Sequence, residues 1–160
     1  MDSSALLLIP AVVMVAALVA LFRALTASGA NEETETLPVR DVVGRAEKFL
    51  RKRPGDGSFV VFLTSHIGSD GAASFTQLSV GGTTLGIDHV LTAELNRQTA
   101  PAFERLMTKE GHAVRRETMN GVEYLRASTP QSAGLAYLVL TTVLGVEENG
   151  RVSVIEAVVT

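Results

Sequence analysis

The residues best suited to chemistry in this sequence are three histidines, at positions 66, 89 and 112. No His-x-x-x-His or Glu-x-x-His pair occurs, so the common zinc signatures are missing. His89 alternates with Leu85 and Ile87 along a predicted strand, which favours a satisfied, half-buried side chain over a metal ligand. The chain also has no cysteine, which excludes disulfides, thiolate metal sites and a thiol nucleophile. We therefore predict no metal site.

A second candidate is Ser65-His66 followed by Asp70, which contains the residue types of a catalytic triad. Neighbouring residues of a strand point to opposite faces, so Ser65 and His66 are badly placed to act as nucleophile and base. No G-x-S-x-G elbow occurs, and the carboxylates are scattered along the chain. We predict that the protein has no catalytic residue and is not an enzyme; an active site assembled only by the fold is the alternative.

Two glycine-rich stretches, GSDGAAS at 68–74 and GGTTLG at 81–86, could in principle hold a phosphate. Neither contains Gly-Lys-Ser/Thr at the start of a helix, and neither is a G-x-G-x-x-G between strand and helix. Both stretches therefore predict turns, and we predict no cofactor. The 14 Lys and Arg against 17 Asp and Glu give a net charge of −3 with no basic stripe, so no nucleic-acid partner is expected.

The N-terminal region contains ALLLIPAVVMVAALVALF, residues 5–22, which carries no charge. In helical form this length reaches about 27 Å, close to the hydrocarbon thickness of a bilayer. A cleaved signal peptide needs a positive n-region, yet the first basic residue, Arg23, follows the apolar run. We predict a single-pass transmembrane anchor over residues 1–25, with residues 3–22 in the lipid bilayer. The alternative is an exported ligand-binding domain released by cleavage near Ala30.

Orientation and tethering follow from the residues after the anchor. Arg23 and Arg40 both lie on the C-terminal side of the apolar run, which favours a cell-membrane protein with a cytoplasmic domain. Residues 26–38, TASGANEETETLP, are polar and acidic, and they predict a flexible acidic linker. Residues 39–160 remain for a single folded domain.

The domain is predicted to be α+β. Apolar residues at helical spacing predict a helix over 39–53, and a β-branched run from residue 58 begins the strands. Gly81-Gly82 and Asn120-Gly121 predict hairpins, and a second helix is expected to begin near Pro101. The predicted order, α-βββ-α-ββ-α-β, gives a mainly antiparallel sheet of five to six strands packed with about three helices.

Two apolar stretches near the C-terminus form the predicted interaction surface. PQSAGLAYLVLTTVLG, residues 130–145, predicts a helix that is apolar nearly all round and therefore buried on more than one side. RVSVIEAVV, residues 151–159, predicts a last strand that could pair with a partner through a sheet edge. The candidate partner-binding residues on these stretches are Leu135, Leu138, Val139, Val143, Val152, Val154, Ile155 and Val158.

Two local patterns resemble the type III secretion chaperone-like domains, including the YbjN-type branch: FVVFLTS leading through a hairpin to LGIDHVLTAEL, and the terminal helix AGLAYLVLTTVLGV. The resemblance covers residues 39–146, and the anchor and the C-terminal strand depart from the family pattern. It implies a small α+β domain, often dimeric, that binds proteins and carries no catalytic residues. We therefore expect a non-catalytic accessory or assembly subunit of a membrane complex, whose partners are other membrane-protein subunits or a homodimer partner.

Overall fold

The computed structural model describes residues 32–119 and 121–159. The predicted anchor at 1–25 and the linker up to residue 31 lie outside the described residues. Within the described part of the chain, no helix is long and apolar enough to cross a membrane.

The described residues form seven strands and three helices, which confirms the α+β class. The strands are β1 (Glu32–Pro38), β2 (Phe59–Ile67), β3 (Ala73–Gly81), β4 (Thr84–Val90), β5 (Arg115–Met119), β6 (Val122–Ser128) and β7 (Arg151–Ala157). The helices are α1 (Val42–Arg51) after a 3-10 turn at Val39–Asp41, α2 (Glu94–Lys109), and α3 (Ser132–Leu138), which continues as a π-helical stretch, Val139–Val143.

The strands form one antiparallel sheet in the order β1-β7-β2-β3-β4-β6-β5. The count exceeds the predicted five to six because β1, placed in the linker by its polar sequence, pairs with β7 from Glu32↔Ala157 to Pro38↔Arg151. An edge strand gives a weak sequence signal because it buries little: Thr36 is exposed and Leu37 is half-buried. Exposed charge is also common on edge strands, where it discourages pairing with other chains.

The last strand lies inside the sheet. β7 is hydrogen-bonded to β1 on one side and to β2 on the other. The prediction that this strand offers a free edge to a partner is therefore wrong for this structure. The edges of the described sheet belong to β1 and β5.

The two faces of the sheet differ. Side chains such as Val60, Leu78 and Ile87 join helix side chains, including Phe49 and Phe103, in the main core on one face. Because alternate strand residues point to opposite sides, the intervening residues lie on the other face, which we call the distal face. Its apolar side chains form a separate cluster around Phe59, Val61, Phe75, Val90 and Ala157.

Helix α2 begins earlier than predicted. It starts at Glu94 rather than near Pro101, which lies inside the helix. The reason is a contact distant in sequence: the Asp70 carboxylate accepts a 2.7 Å hydrogen bond from the backbone N–H of Glu94. A carboxylate at this position satisfies an amide that the first helical turn leaves unpaired.

The turn predictions hold with small shifts. Met119 pairs with Val122, which confirms the predicted hairpin between β5 and β6. The β3–β4 hairpin turns at 82–83, one residue later than predicted, because Gly81 still pairs with Thr84. Gly145, at φ +68°, follows α3 in the left-handed conformation that favours glycine.

Candidate functional site

A cavity of about 730 Å³ lies on the distal face, over β2, β3, β4, β6 and β5. Its volume falls within the usual range for ligand pockets, about 300–1,000 Å³. Apolar side chains line part of it: Phe59, Val90, Met119 and Val122. Met119 is 46% exposed, which places this side chain at a solvent-facing rim.

The polar centre of the cavity is a buried ion pair. The Arg126 guanidinium on β6 donates to the Asp88 carboxylate on β4 at 2.8 Å. Ser79, on β3, accepts a hydrogen bond from Arg126 at 2.7 Å and donates one to Asp88. Burial raises the pKa of Asp88, and the charge of Arg126 opposes this rise. The three side chains therefore join three neighbouring strands.

The hydrogen-bonding capacity of this centre is largely used within the protein. Asp88 also accepts from Gln77 at 3.3 Å, and Arg126 donates to the backbone carbonyls of Thr84 and Ser79. A Cβ atom on Gly86 would come within 2.7 Å of the Arg126 Cζ, so glycine leaves the space that the guanidinium fills. The arrangement favours a rigid floor for a bound group over proton transfer.

A second polar pair lies toward the sheet edge. The Tyr124 hydroxyl on β6 donates to the Glu117 carboxylate on β5 at 3.0 Å. Burial, reinforced by this hydrogen bond, raises the pKa of Tyr124 to about 12. Tyr124 therefore stays a neutral donor at physiological pH.

His89 lies in the main core, on the opposite face from the cavity. It is fully buried, and its ring stacks on Phe103 with centroids 4.9 Å apart. Its Nε2 donates to the carbonyl of Asn96 at 2.7 Å, while Nδ1 has no hydrogen-bond partner among the described residues. Burial lowers the pKa of His89 to about 4, so the ring is neutral. The predicted half-buried side chain is thus fully buried.

Two of the three residues with triad chemistry, His66 and Asp70, make hydrogen bonds to other parts of the chain. The pairing of β2 with β3 shifts register between Leu63 and Ile67, so strict alternation does not apply at Ser65 and His66. The His66 ring is nevertheless not paired with Ser65 through Nδ1, because this nitrogen donates to the carbonyl of Leu144 at 2.9 Å. Asp70 is engaged at the start of α2, so the structure does not bring the three together as a triad.

The glycine-rich loop after β2 holds an anion that the protein itself supplies. The backbone N–H groups of Ser69 and Asp70 and the hydroxyl of Ser69 donate to the Glu94 carboxylate. The Ser69 hydroxyl is the main cause of a pKa of Glu94 below its ordinary value. The loop was predicted to be a turn. Its hydrogen bonds to Glu94 connect the β2–β3 loop to the first turn of α2.

The predicted partner-binding residues lie mostly in the core. Val139, Val143, Val152 and Val154 are buried in the main core, and Ile155 belongs to the distal-face cluster. Leu135 and Leu138, with Val43 and Leu50 of α1, border a shallow groove of about 490 Å³ between α1 and α3. Val158 packs half-buried against the core. Their role in binding a partner stays a prediction.

The distal-face site has no local sequence motif and was not predicted. Asp88 is the one carboxylate in a mostly apolar stretch, LGIDHV, whereas Arg126 lies in VEYLRAS, which also contains Glu123 and so gives a weaker signal. Their partnership becomes visible only once β4 and β6 are known to be neighbours. Within residues 32–119 and 121–159, no three His, Asp or Glu side chains are grouped to hold a metal ion.

Comparison with family models, curated proteins and solved structures finds no match to this chain. The class is therefore defined by the fold: an α+β domain with a seven-stranded antiparallel sheet and three helices.

Proposed function

We propose that the protein is a membrane-tethered, non-catalytic binding module whose distal-face cavity receives apolar side chains of a partner protein, as an accessory or assembly subunit of a membrane complex. The observation that carries the proposal is the cavity itself, about 730 Å³, in which a group of apolar side chains lies beside a fixed polar centre. Apolar pockets with a few oriented polar groups are the usual form of a binding site.

The tether supports the choice of a protein partner at a membrane. Residues 5–22 are uncharged and long enough to span a bilayer, so the domain would be held beside other membrane proteins. Arg23 and Arg40 both follow the apolar stretch, and this distribution of positive charge supports a cytoplasmic domain. The chain has no cysteine, so Arg105→Cys at an exposed position introduces a single thiol that reports on which side of the membrane the domain lies. Labelling of this thiol from outside intact cells would contradict the cytoplasmic assignment.

Photocrosslinking at Met119 tests the binding site. A photoreactive residue replaces Met119 in the full-length protein, in native membranes, and the control replaces Ile67, which is 59% exposed and does not line the cavity. We expect a discrete protein adduct from Met119, lost when Val122 is changed to Asp, and none from Ile67. The same adducts at both positions would contradict the site.

A second candidate function is an exported domain that binds a small ligand. The cavity volume favours it as well, because about 730 Å³ suits a small molecule. N-terminal sequencing of the mature protein separates the two: a chain beginning near residue 31 supports export, and an intact N-terminus supports the anchor.

A further inference from the structure

The cations of this chain are unevenly distributed. Residues 48–53, KFLRKR, carry four cations and no carboxylate, although the whole chain has a net charge of −3. We call these six residues the basic segment; they form the last turn of α1 and the two residues that follow it. The flanking carboxylates, Glu47 and Asp56, form no ion pair with the segment.

Three of the four cations have no partner within the described part of the chain. Lys52 pairs with the buried Glu156. The side chains of Lys48, Arg51 and Arg53 are exposed, and none of them makes a hydrogen bond or an ion pair with a described residue. The C-terminal end of α1 therefore presents uncompensated positive charge to its surroundings.

The basic segment lies at the end of the sheet from which the chain leads to the predicted anchor. Glu32, the first residue of β1, pairs with Ala157. Two residues further along the chain, the carbonyl of Val159 accepts a 2.9 Å hydrogen bond from the N–H of Gly55. Gly55 follows Arg53 by two residues. The start of β1 and the basic segment are therefore at the same end of the domain.

The proposed anchor keeps this end of the domain near a bilayer. Nine residues, 23–31, separate the uncharged stretch from Glu32, and a chain of this length spans at most about 30 Å. With residues 3–22 in a bilayer, as proposed above, Glu32 stays within that distance of its surface. A short tether raises the local concentration of the binding groups, so a few unpaired cations are sufficient for binding.

We propose that the basic segment, through Lys48, Arg51 and Arg53, binds the phosphate-bearing headgroups of anionic lipids, so that this end of the domain rests on the bilayer surface. The attraction of each cation to an anionic surface changes the binding equilibrium about fivefold. The proposal rests on the membrane tether of the proposed function, and it is independent of the cavity and its partner. The contact orients the domain, which would otherwise rotate about its tether.

Lysine reactivity tests the contact, because the chain has only three lysines: Lys48, Lys52 and Lys109. Lys109 is exposed in the last turn of α2 and forms no ion pair with a described residue, so it serves as a reference within the same molecule. The full-length protein is reconstituted in nanodiscs of phosphatidylcholine alone or mixed with phosphatidylglycerol. It is then acetylated with a water-soluble reagent and analysed by peptide mass spectrometry.

We expect Lys48 to react about fivefold more slowly on discs that contain phosphatidylglycerol, because lipid contact shields the amine and keeps it protonated. Lys109 should react at the same rate on both. Raising the salt concentration to about 0.5 M should remove the difference, since it shortens the range of the attraction. These comparisons use the unsubstituted chain. Equal reactivity of Lys48 on the two lipids would overturn the contact and favour an acidic protein surface as the partner of these cations.

A matched pair of variants tests the location. Arg51→Gln/Arg53→Gln should return Lys48 to its rate on phosphatidylcholine. The control, Arg105→Gln/Arg151→Gln, removes two exposed cations from α2 and from the opposite end of the sheet, and it should keep the slow rate. Loss of the slow rate in the control, or equal slowing of Lys48 and Lys109, would overturn the assignment to the basic segment.

Co-elution with the discs distinguishes failure of this contact from failure of the proposed function. Protein that elutes with both kinds of disc, but shows no slowing at Lys48, would support the tether and contradict the lipid contact. Protein that elutes only with phosphatidylglycerol discs, with Lys48 slowed, would support the contact and contradict the anchor. Elution with neither would overturn both. The discs contain no partner protein, so the Met119 experiment tests the cavity separately.

Discussion

Charged and polar residues inside this protein occur in groups that join distant parts of the chain. Asp88 and Arg126 connect β4 with β6, and Glu94 connects α2 with the loop after β2. His89 differs from these groups, because its Nδ1 is buried with no hydrogen-bond partner among the described residues and its ring is titratable. A histidine held neutral by burial makes the free energy of unfolding depend on pH, because the unfolded chain binds a proton more readily.

At the residue scale, the protein is expected to lose stability between pH 6.5 and pH 4 because of His89. Burial lowers the pKa of His89 to about 4, so over this interval the unfolded chain binds a proton that the folded chain does not. The loss would be roughly 3 kcal/mol by pH 4, at about 1.4 kcal/mol per pKa unit. Urea denaturation in mild detergent at several pH values measures it. His89→Phe should flatten the slope, and His112→Gln should retain it; an unchanged slope in His89→Phe would contradict the assignment.

A pair of glycine substitutions separates close packing from conformational freedom. Gly86→Ala should lower the free energy of unfolding by about 1–3 kcal/mol, because the new Cβ would meet the Arg126 guanidinium at 2.7 Å. Gly44→Ala, in α1 with nothing within 4 Å, should raise it by about 0.5–1 kcal/mol. Thermal denaturation of both variants is the measurement. Equal changes in the free energy of unfolding for the two variants would show that the Arg126 guanidinium does not restrict the space at Gly86.

At the scale of the elements, a buried ion cluster holds α1 against the sheet. Glu156 of β7 is 1% exposed and is paired with Arg45 and Lys52 of the α1 region, while Arg45 also reaches Glu35 of β1. Because Arg45 is itself buried, the loss of Glu156 would leave its charge poorly compensated.

Two substitutions in this cluster should differ in cost. Glu156→Gln is expected to lower the free energy of unfolding by about 3–5 kcal/mol, as for a broken buried pair. Glu35→Gln should cost less than about 1 kcal/mol, because Glu35 is 44% exposed and Arg45 keeps Glu156. Chemical denaturation of the two variants compares them. A cost for Glu35→Gln as large as that for Glu156→Gln would contradict this division.

Deletion of residues 151–160 should abolish cooperative unfolding. The deletion removes β7, which separates β1 from β2, and it takes Val152 and Val154 out of the main core. Circular dichroism during heating and resistance to protease measure the outcome. Arg151→Ala, at the exposed start of the strand, should change the free energy of unfolding by less than about 1 kcal/mol. A folded deletion variant would mean that the strand is dispensable.

Elements with strong local signals were predictable from the sequence. The β2–β4 strands, α1 and the β5–β6 hairpin follow from periodicity and turn residues. The start of α2 depends on Asp70, and β1 depends on pairing with β7, which is more than a hundred residues away in the sequence. The Asp88–Arg126 centre likewise depends on strand order. Long-range pairing of this kind has no local periodicity and was therefore not predicted.

At the scale of the whole molecule, the described sheet should open from its β5 edge. β5 pairs on one side only, and most of its side chains are exposed, whereas β2 has a strand on each side and apolar contacts on both faces. Hydrogen–deuterium exchange read by peptide mass spectrometry should show amides in 115–119 exchanging at least tenfold faster than those in 59–63. Equal protection in the two segments would contradict this order of opening.

The pairing of Glu32 with Ala157 has a mechanical consequence. In the membrane-tethered protein proposed above, a pull on residue 32 from the anchor, opposed by a load attached after residue 159, would act at the same end of the β1–β7 ladder. Antiparallel strands pulled apart at one end separate one hydrogen-bonded pair at a time, instead of resisting together in shear. The junction would then yield at low force and lengthen the tether by the seven residues of β1, while the six strands from β7 to β5 stay assembled.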